Sequence, residues 1–143
     1  MKNQQETRSA RILKALVVAL VFLALSTVTF FTFRYYLTLH EARVTLYEAK
    51  TAQLAAWSVS TKCYATNSLF SDSTTPSGFT EAAEKEILAL SQAEGKIRLL
   101  QVGKNGYDIL SMLYIDEEYV VFYRSDGETG SWEVYKGSAL ITA

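Results

Sequence analysis

The longest apolar stretch of the chain lies near its N-terminus. Residues 15–33 have the sequence ALVVALVFLALSTVTFFTF and carry no charge. As a helix this stretch is about 28 Å long at ~1.5 Å per residue, which matches the ~30 Å hydrocarbon thickness of a bilayer. Lys14 and Arg34 bracket it, and two tyrosines follow Arg34, where interfacial aromatic residues anchor a span. The pattern predicts a transmembrane helix over residues 15–37.

A cleaved signal peptide is the alternative interpretation of the same stretch. Ala24, Leu25 and Ser26 form a small-x-small cleavage site after an apolar segment. Cleavage there would leave the apolar residues up to Phe33 exposed at a new N-terminus, which favours a retained anchor. The Ser and Thr hydroxyl groups within the stretch are compatible with burial in lipid, because each can donate a hydrogen bond to a carbonyl of the preceding turn.

Charge is distributed unevenly about this segment and predicts its orientation. Residues 1–14 hold four basic side chains and one acidic one, a net charge of +3, against −1 for the whole chain. Short basic segments stay on the cytoplasmic side of a membrane. We therefore expect a cytoplasmic tail over residues 1–14, a single span in the cell membrane and an extracytoplasmic C-terminal domain. The overall charge provides no basic surface for nucleic acid.

Helical character continues beyond the apolar stretch. No glycine or proline occurs before Pro76, and residues 38–68 are rich in Ala, Leu, Glu, Lys and Gln. We predict a nearly continuous helix from about residue 10 to 67, whose part over residues 38–68 is amphipathic and lies outside the membrane. One face of this part has mostly small residues at alternating spacings of three and four, and we call it the small-residue seam: Leu39, Ala42, Leu46, Ala49, Gln53, Ala56, Ser60 and Cys63.

Two functions suit the small-residue seam, and the pattern does not separate them. The seam could pack laterally against a like helix of another subunit, or it could pack on the chain's own sheet. Cys63 has two matching interpretations, a thiol that cross-links two copies or a small buried apolar residue. A second, bulkier apolar surface away from the seam contains Tyr47, Leu54, Trp57 and Val59.

After the long helix the composition changes. Residues 69–79 contain SDSTTPSG, which predicts a loop. A short helix is predicted over residues 80–94, since Thr80 is a suitable N-cap and Gly95 is expected to end it. Its predicted apolar face is formed by Ala83, Ile87 and Leu90.

The remainder of the chain predicts an antiparallel β-meander. Aromatic and β-branched residues are concentrated in four segments, 97–102, 107–114, 119–124 and 132–136. Turn signals separate the segments, among them the pair Asn105-Gly106. The predicted fold class is therefore α+β, with a long N-terminal helix, a short second helix and a four-stranded antiparallel sheet.

The C-terminal part is too small to fold without the long helix. Residues 80–143 are near the lower limit for a self-sufficient hydrophobic core. They are therefore expected to pack with residues 45–66, whose bulkier apolar surface would cover the sheet. The predicted domain core consists of Tyr47, Leu54, Trp57, Ile87, Leu90, Leu99, Leu110, Val121, Tyr123 and Trp132.

Residues suited to catalysis or metal binding are scarce. Cys63 is the one cysteine and His40 the one histidine, which excludes an internal disulfide and a His-based metal cluster. Sequence motifs for nucleophile elbows, phosphate loops and dinucleotide folds are absent. Two acidic turns, residues 116–118 and 126–128, are the nearest candidate for a calcium site, although acidic turns are usually only solvated. We predict a non-enzymatic protein with no catalytic residue, cofactor or metal.

The order of these features resembles that of type IV pilins and type II secretion pseudopilins. Both have a basic tail, a membrane helix that continues as an amphipathic helix, a polar loop and a closing antiparallel meander. The family's peptidase glycine has no counterpart before the apolar run, since the first glycine is Gly78, and Glu6 lies upstream of the run. The segments YVVFYRSDG and SWEVY are also similar to an uncharacterised family of short membrane-anchored proteins found alongside pilin-like genes in Gram-positive bacteria.

The resemblance implies a membrane-anchored subunit of a pilin-like filament or of a secretion or envelope assembly. Its expected partners are the lipid bilayer and other pilin-like or membrane subunits. Two alternatives stay open: an accessory subunit that makes one-to-one contacts in a membrane complex, and an extracytoplasmic ligand-sensing module.

Overall fold

A computed structural model describes residues 2–127 and 129–142, with side chains from residue 10 onward. The elements in chain order are α1 (Lys2–Thr66), α2 (Glu81–Ser91), β1 (Lys96–Val102), β2 (Ile109–Asp116), β3 (Tyr119–Ser125), β4 (Gly130–Lys136) and β5 (Ala139–Thr142). The fold is α+β, as the sequence predicts. The chain divides into two compact units, Met1–Leu39 and His40–Ala143, which are described in turn.

The first unit is helical and has an apolar surface. An 18-residue window of α1 has a mean hydropathy of 2.4, and none of that window is buried in the structure. The Ser26 hydroxyl donates to the Phe22 carbonyl at 2.8 Å, and the Thr29 hydroxyl donates to the Leu25 carbonyl at 2.9 Å. These bonds confirm that the hydroxyl groups pair within the helix, so they need no water. The helix is a candidate membrane span.

The end of α1 and the loop that follows are held by backbone bonds and two aromatic rings. Asn67 adopts a left-handed conformation with φ 52°, and the Ser68 N–H donates to the Cys63 carbonyl at 2.9 Å. This is the usual hydrogen-bond pattern of a helix C-terminus. Phe70 and Phe79, on either side of the polar loop, are buried with their ring centroids 5.4 Å apart. The loop is therefore fixed to the core at both ends.

The second helix is shorter than predicted. Thr80 caps its N-terminus, as expected, but Gly95 does not end it. Gln92 takes the left-handed conformation instead, and its N–H donates to the Leu88 carbonyl at 3.0 Å. Gly95 lies against Tyr114, where a Cβ atom would come within 2.5 Å of the ring. The glycine is thus required for close packing rather than for the helix end.

The sheet has five antiparallel strands in chain order, one more than predicted. The first four strands overlap the four predicted segments, and β2 lies two residues later in the chain than predicted. The additional strand, β5, pairs with β4 through contacts such as Tyr135 with Leu140. Its four residues are too few to show the alternation by which a strand is recognised in sequence.

One face of the sheet and one face of α1 form the core of the second unit. The sheet contributes mainly large side chains, among them Ile97, Leu99, Met112, Tyr114, Val121 and Val134. The helix contributes mainly small ones, namely Ala42, Ala49, Ala52, Ala55, Ala56 and Val59. Large side chains of the sheet thus lie opposite small side chains of the helix, an arrangement that allows close packing of the two layers.

Part of the predicted core is wrong. Four predicted core residues are exposed: Tyr47, Leu54, Trp57 and Leu90. Tyr47 lies away from the sheet, whereas Leu54 and Trp57 lie at the margin of the helix–sheet contact, beside β2 and β3, because the small residues of α1 occupy the contact itself. In α2, Ile87 is buried in the core and Leu88 is half-buried against it, whereas Leu90 lies on the exposed side.

The other predicted core residues of the sheet are at least half-buried. Leu110 is half-buried outside the core cluster. Leu99 and Val121 are buried, and Tyr123 and Trp132 are half-buried against the core.

Candidate interaction surface

The part of the α1 surface that is not buried against the sheet carries a row of exposed large side chains. We call this row the outer stripe, and it consists of Val44, Tyr47, Leu54 and Trp57. Tyr47, Leu54 and Trp57 are 73%, 63% and 61% exposed. Single exposed apolar residues are ordinary on a protein surface, but several large ones along one side of a helix make that side a candidate interaction site.

The small-residue seam lies on the opposite side of the helix. Ala42, Ala49 and Ala56 are fully buried, and the buried Ser60 hydroxyl donates to the Tyr107 carbonyl at 2.5 Å. Three further seam residues of this unit are half-buried, namely Leu46, Gln53 and Cys63, whereas Leu39 belongs to the first unit. The seam within the second unit therefore packs on the chain's own sheet, which is one of the two functions that the sequence allows. Cys63 is a free thiol against the core.

A buried tyrosine ties α1 to the middle of the sheet. The Tyr114 hydroxyl donates to a Glu48 carboxylate oxygen at 2.8 Å and accepts the Gly95 N–H at 3.0 Å. Burial, and then the bond to Glu48, raise the pKa of Tyr114 well above its ordinary value. The phenol therefore stays protonated and acts as a donor that fixes the rotation of α1 about its axis.

A second polar cluster ties the same helix to the β2–β3 turn. The Tyr119 hydroxyl donates to Glu41 at 2.8 Å, and the Lys136 ammonium lies 3.2 Å from that hydroxyl and 3.1 Å from Glu118. Burial first, and then Glu41, raise the pKa of Tyr119. The bonds to Tyr119 and Glu118 raise the pKa of Lys136. Both clusters hold α1 in the orientation that leaves the outer stripe exposed.

A groove of about 600 Å³ opens beside the outer stripe. One wall is formed by α1 through Gln53, Leu54 and Trp57, and the other by the ends of β2 and β3 through Asp108, Ile109, Leu110, Tyr123, Ser125 and Gly127. The Tyr123 ring of this wall lies against the Trp132 ring, with centroids 4.6 Å apart and the ring planes tilted by 42°. The groove thus combines aromatic and aliphatic walls with a few polar groups, which is the usual composition of a small-molecule pocket.

The two acidic turns do not come together. Consecutive hairpins of a meander lie at opposite ends of the sheet, so the turn at residues 116–118 is remote from the turn after β3. Glu118 pairs with Lys136, and Asp126 accepts the Thr129 N–H at 2.7 Å. Glu128 lies outside the described residues. Within residues 2–127 and 129–142, no group of three or more potential metal ligands gathers.

Comparisons with protein-family models, curated proteins and solved structures find no match for this chain. The class of the protein is therefore defined by its fold and surface alone. It is a small α+β domain on a long helix that contains a candidate membrane span, and the domain part of that helix has an exposed apolar face.

Proposed function

We propose that this chain is a non-enzymatic, single-pass membrane protein whose outer stripe binds other subunits of a pilin-like filament or of a secretion or envelope assembly. The observation that carries the proposal is the exposure of Tyr47, Leu54 and Trp57 on the helix that also contains the apolar candidate span. Full transfer of one such side chain from water to an interface contributes about 1.5–3 kcal/mol. The order of elements, which resembles that of pilins, supports the same assignment.

The membrane arrangement follows from the charge around the span. Basic residues precede the apolar stretch, so the tail stays in the cytoplasm and the sheet lies outside the cell membrane. Alkaline extraction of membranes and protease treatment of intact cells test this arrangement. The chain should stay in the membrane pellet, and external protease should remove the C-terminal sheet. A soluble chain that begins near Thr27, or a protected sheet, would contradict the arrangement.

The outer stripe can be tested by matched double substitutions in the tagged full-length chain, purified from its native membrane. Leu54→Ala/Trp57→Ala removes two large side chains from the stripe. We expect this variant to lose co-purifying membrane subunits. Leu100→Ala/Leu140→Ala is the control, because it removes two exposed leucines from the sheet instead. Equal recovery of subunits by both variants would exclude the stripe as the binding surface.

The number of subunits in the complex separates a filament from an accessory role. Chemical cross-linking of membranes should give a ladder of regularly increasing mass if the chain polymerises, since each subunit then has a neighbour on both sides. An accessory subunit would give a single product of fixed stoichiometry with one partner.

A ligand-sensing module is a second candidate, and the groove beside Trp57 favours it. Its volume of about 600 Å³ lies within the ~300–1,000 Å³ of ordinary ligand pockets. Thermal unfolding of the full chain in detergent, with a panel of amino acids, sugars and short peptides, tests this role. A ligand of the groove should raise the unfolding temperature of the natural chain but not of Leu110→Trp, in which the indole fills the groove. Without a shift for any member of the panel, this second candidate fails.

A further inference from the structure

We propose that the outer stripe pairs two copies of this chain side by side, parallel and in register. The inference rests on the proposed function, because it takes the outer stripe as a subunit contact. Three residues of the outer stripe, Val44, Tyr47 and Leu54, belong to a repeat along α1 with alternating spacings of three and four. The repeat continues through the polar residues Thr51, Ser58 and Thr61, and Trp57 flanks it. A repeat of about 3.5 residues keeps one side of a helix against a partner helix over its whole length.

The same seven-residue period governs the opposite side of the helix. Ala42, Ala49, Ala56 and Cys63 follow one another at intervals of seven, and all four lie in or against the core. The sheet thus occupies the back of α1 and leaves its front to a partner. Because Val44, Tyr47 and Leu54 are all exposed, no described element of the chain covers that front.

Charge specifies the partner and its direction. In a parallel pair of helices, a residue that flanks the contact lies beside the residue five positions later in the partner. Arg43 and Glu48 occupy such positions. Arg43 is exposed and has no ion pair within the described residues, and Glu48 uses only Oε2 for its bond to Tyr114. In a parallel pair, Arg43 of each copy therefore lies beside Glu48 of the other copy, which gives two contacts between opposite charges.

An antiparallel pair would not join Arg43 to Glu48. It would place each flanking position beside the same set of flanking positions in the partner, so the two residues would not meet. Two copies that are each anchored in the same membrane by their N-terminal helix are already parallel, so the membrane removes much of the orientational cost of pairing.

Disulfide trapping in native membranes tests the register. The background is the full chain with Cys63→Ser, which has no other cysteine. Ser58→Cys then places one thiol within the three-and-four repeat, where the Cβ atoms of an in-register pair approach to disulfide range. Mild oxidation should give roughly tenfold more covalent dimer than Lys85→Cys, a control on the exposed side of α2, because only thiols with close Cβ atoms bond.

Charge reversal tests the direction. Arg43→Glu, introduced into the Ser58→Cys chain, places like charges at both flanking contacts and should lower the dimer yield about fivefold. Arg98→Glu is the matched control, because Arg98 is exposed on β1, away from the stripe. Equal yields from the two charge variants would overturn the parallel pairing.

Three further outcomes separate this inference from the proposed function. If Ser58→Cys forms disulfides only with Tyr47→Cys chains when the two are mixed, the in-register pair is wrong and a staggered subunit contact replaces it. If neither of these thiols is trapped while Leu54→Ala/Trp57→Ala still loses other subunits, self-pairing fails and the proposed function stands. If neither effect occurs, both fail.

Discussion

The two faces of α1 in the second unit are both apolar, yet they differ in the size of their side chains. The inner face presents Ala42, Ala49 and Ala56 to a sheet whose own residues are large. The outer face presents Tyr47 and Trp57 to solvent. Side-chain size, rather than hydrophobicity, thus separates the face that makes the fold from the face that is free for a partner.

Overpacking the inner face should have the largest effect on stability. Ala56 is fully buried, so Ala56→Leu adds three carbon atoms to a filled layer and should lower the free energy of unfolding by about 2–3 kcal/mol. Ser58→Leu makes a similar addition on the exposed face and should change it by less than about 0.5 kcal/mol. Urea unfolding of the full chain in detergent, followed by tryptophan fluorescence, measures both. An equal decrease in the free energy of unfolding for both variants would contradict the distinction between the two faces.

Removing the tyrosine that orients α1 should have an intermediate effect. Tyr114→Phe leaves the Gly95 N–H without its acceptor and Glu48 without its donor, which should cost about 1–2 kcal/mol at neutral pH.

The same variant predicts a pH dependence. Folding raises the pKa of Tyr114, so its contribution to stability is fully present below about pH 10, the ordinary tyrosine value, and declines as the pH rises from there through the folded pKa. The natural chain should therefore lose stability in alkali more steeply than Tyr114→Phe. Tyr47→Phe, an exposed control, should behave as the natural chain does. Parallel alkaline unfolding curves for all three chains would contradict this role of Tyr114.

Truncation on the outer face should have the smallest effect on stability. Trp57 is 61% exposed, and Trp57→Ala should change the free energy of unfolding by no more than about 0.5 kcal/mol. The same variant should recover fewer membrane subunits, because the lost ring belongs to the proposed contact. Thermal unfolding and co-purification of one preparation measure both effects. A large loss of stability would show that Trp57 serves the fold.

The general architecture could be predicted because its signals are local. The absence of Gly and Pro before Pro76 indicates one long helix, and Asn105-Gly106 indicates a hairpin. The strand β5 escaped prediction because four residues after a turn show no period. Phe70 and Phe79 were missed as core residues, although their symmetric positions beside a polar loop are a usable signal.

The faces of α1 could not be assigned from the sequence because the answer depends on distant residues. Leu54 and Trp57 are as apolar as any core residue, so composition places them inside. They lie outside because Tyr114, Met112 and Val121, more than fifty residues later, already fill the layer above the sheet. The helix and the sheet together therefore determine which apolar face of α1 turns inward, and the sequence of the helix alone does not.

The central claim is that the outer stripe contacts other subunits in the membrane, and site-specific photo-cross-linking tests it most directly. A benzoylphenylalanine at position 57 of the full-length chain is compared in living cells with one at position 122, on the sheet face away from α1. Illumination should give covalent adducts with membrane proteins, a second copy included, from position 57 and far fewer from position 122. No adducts from position 57, or the same yield from both positions, would contradict the claim.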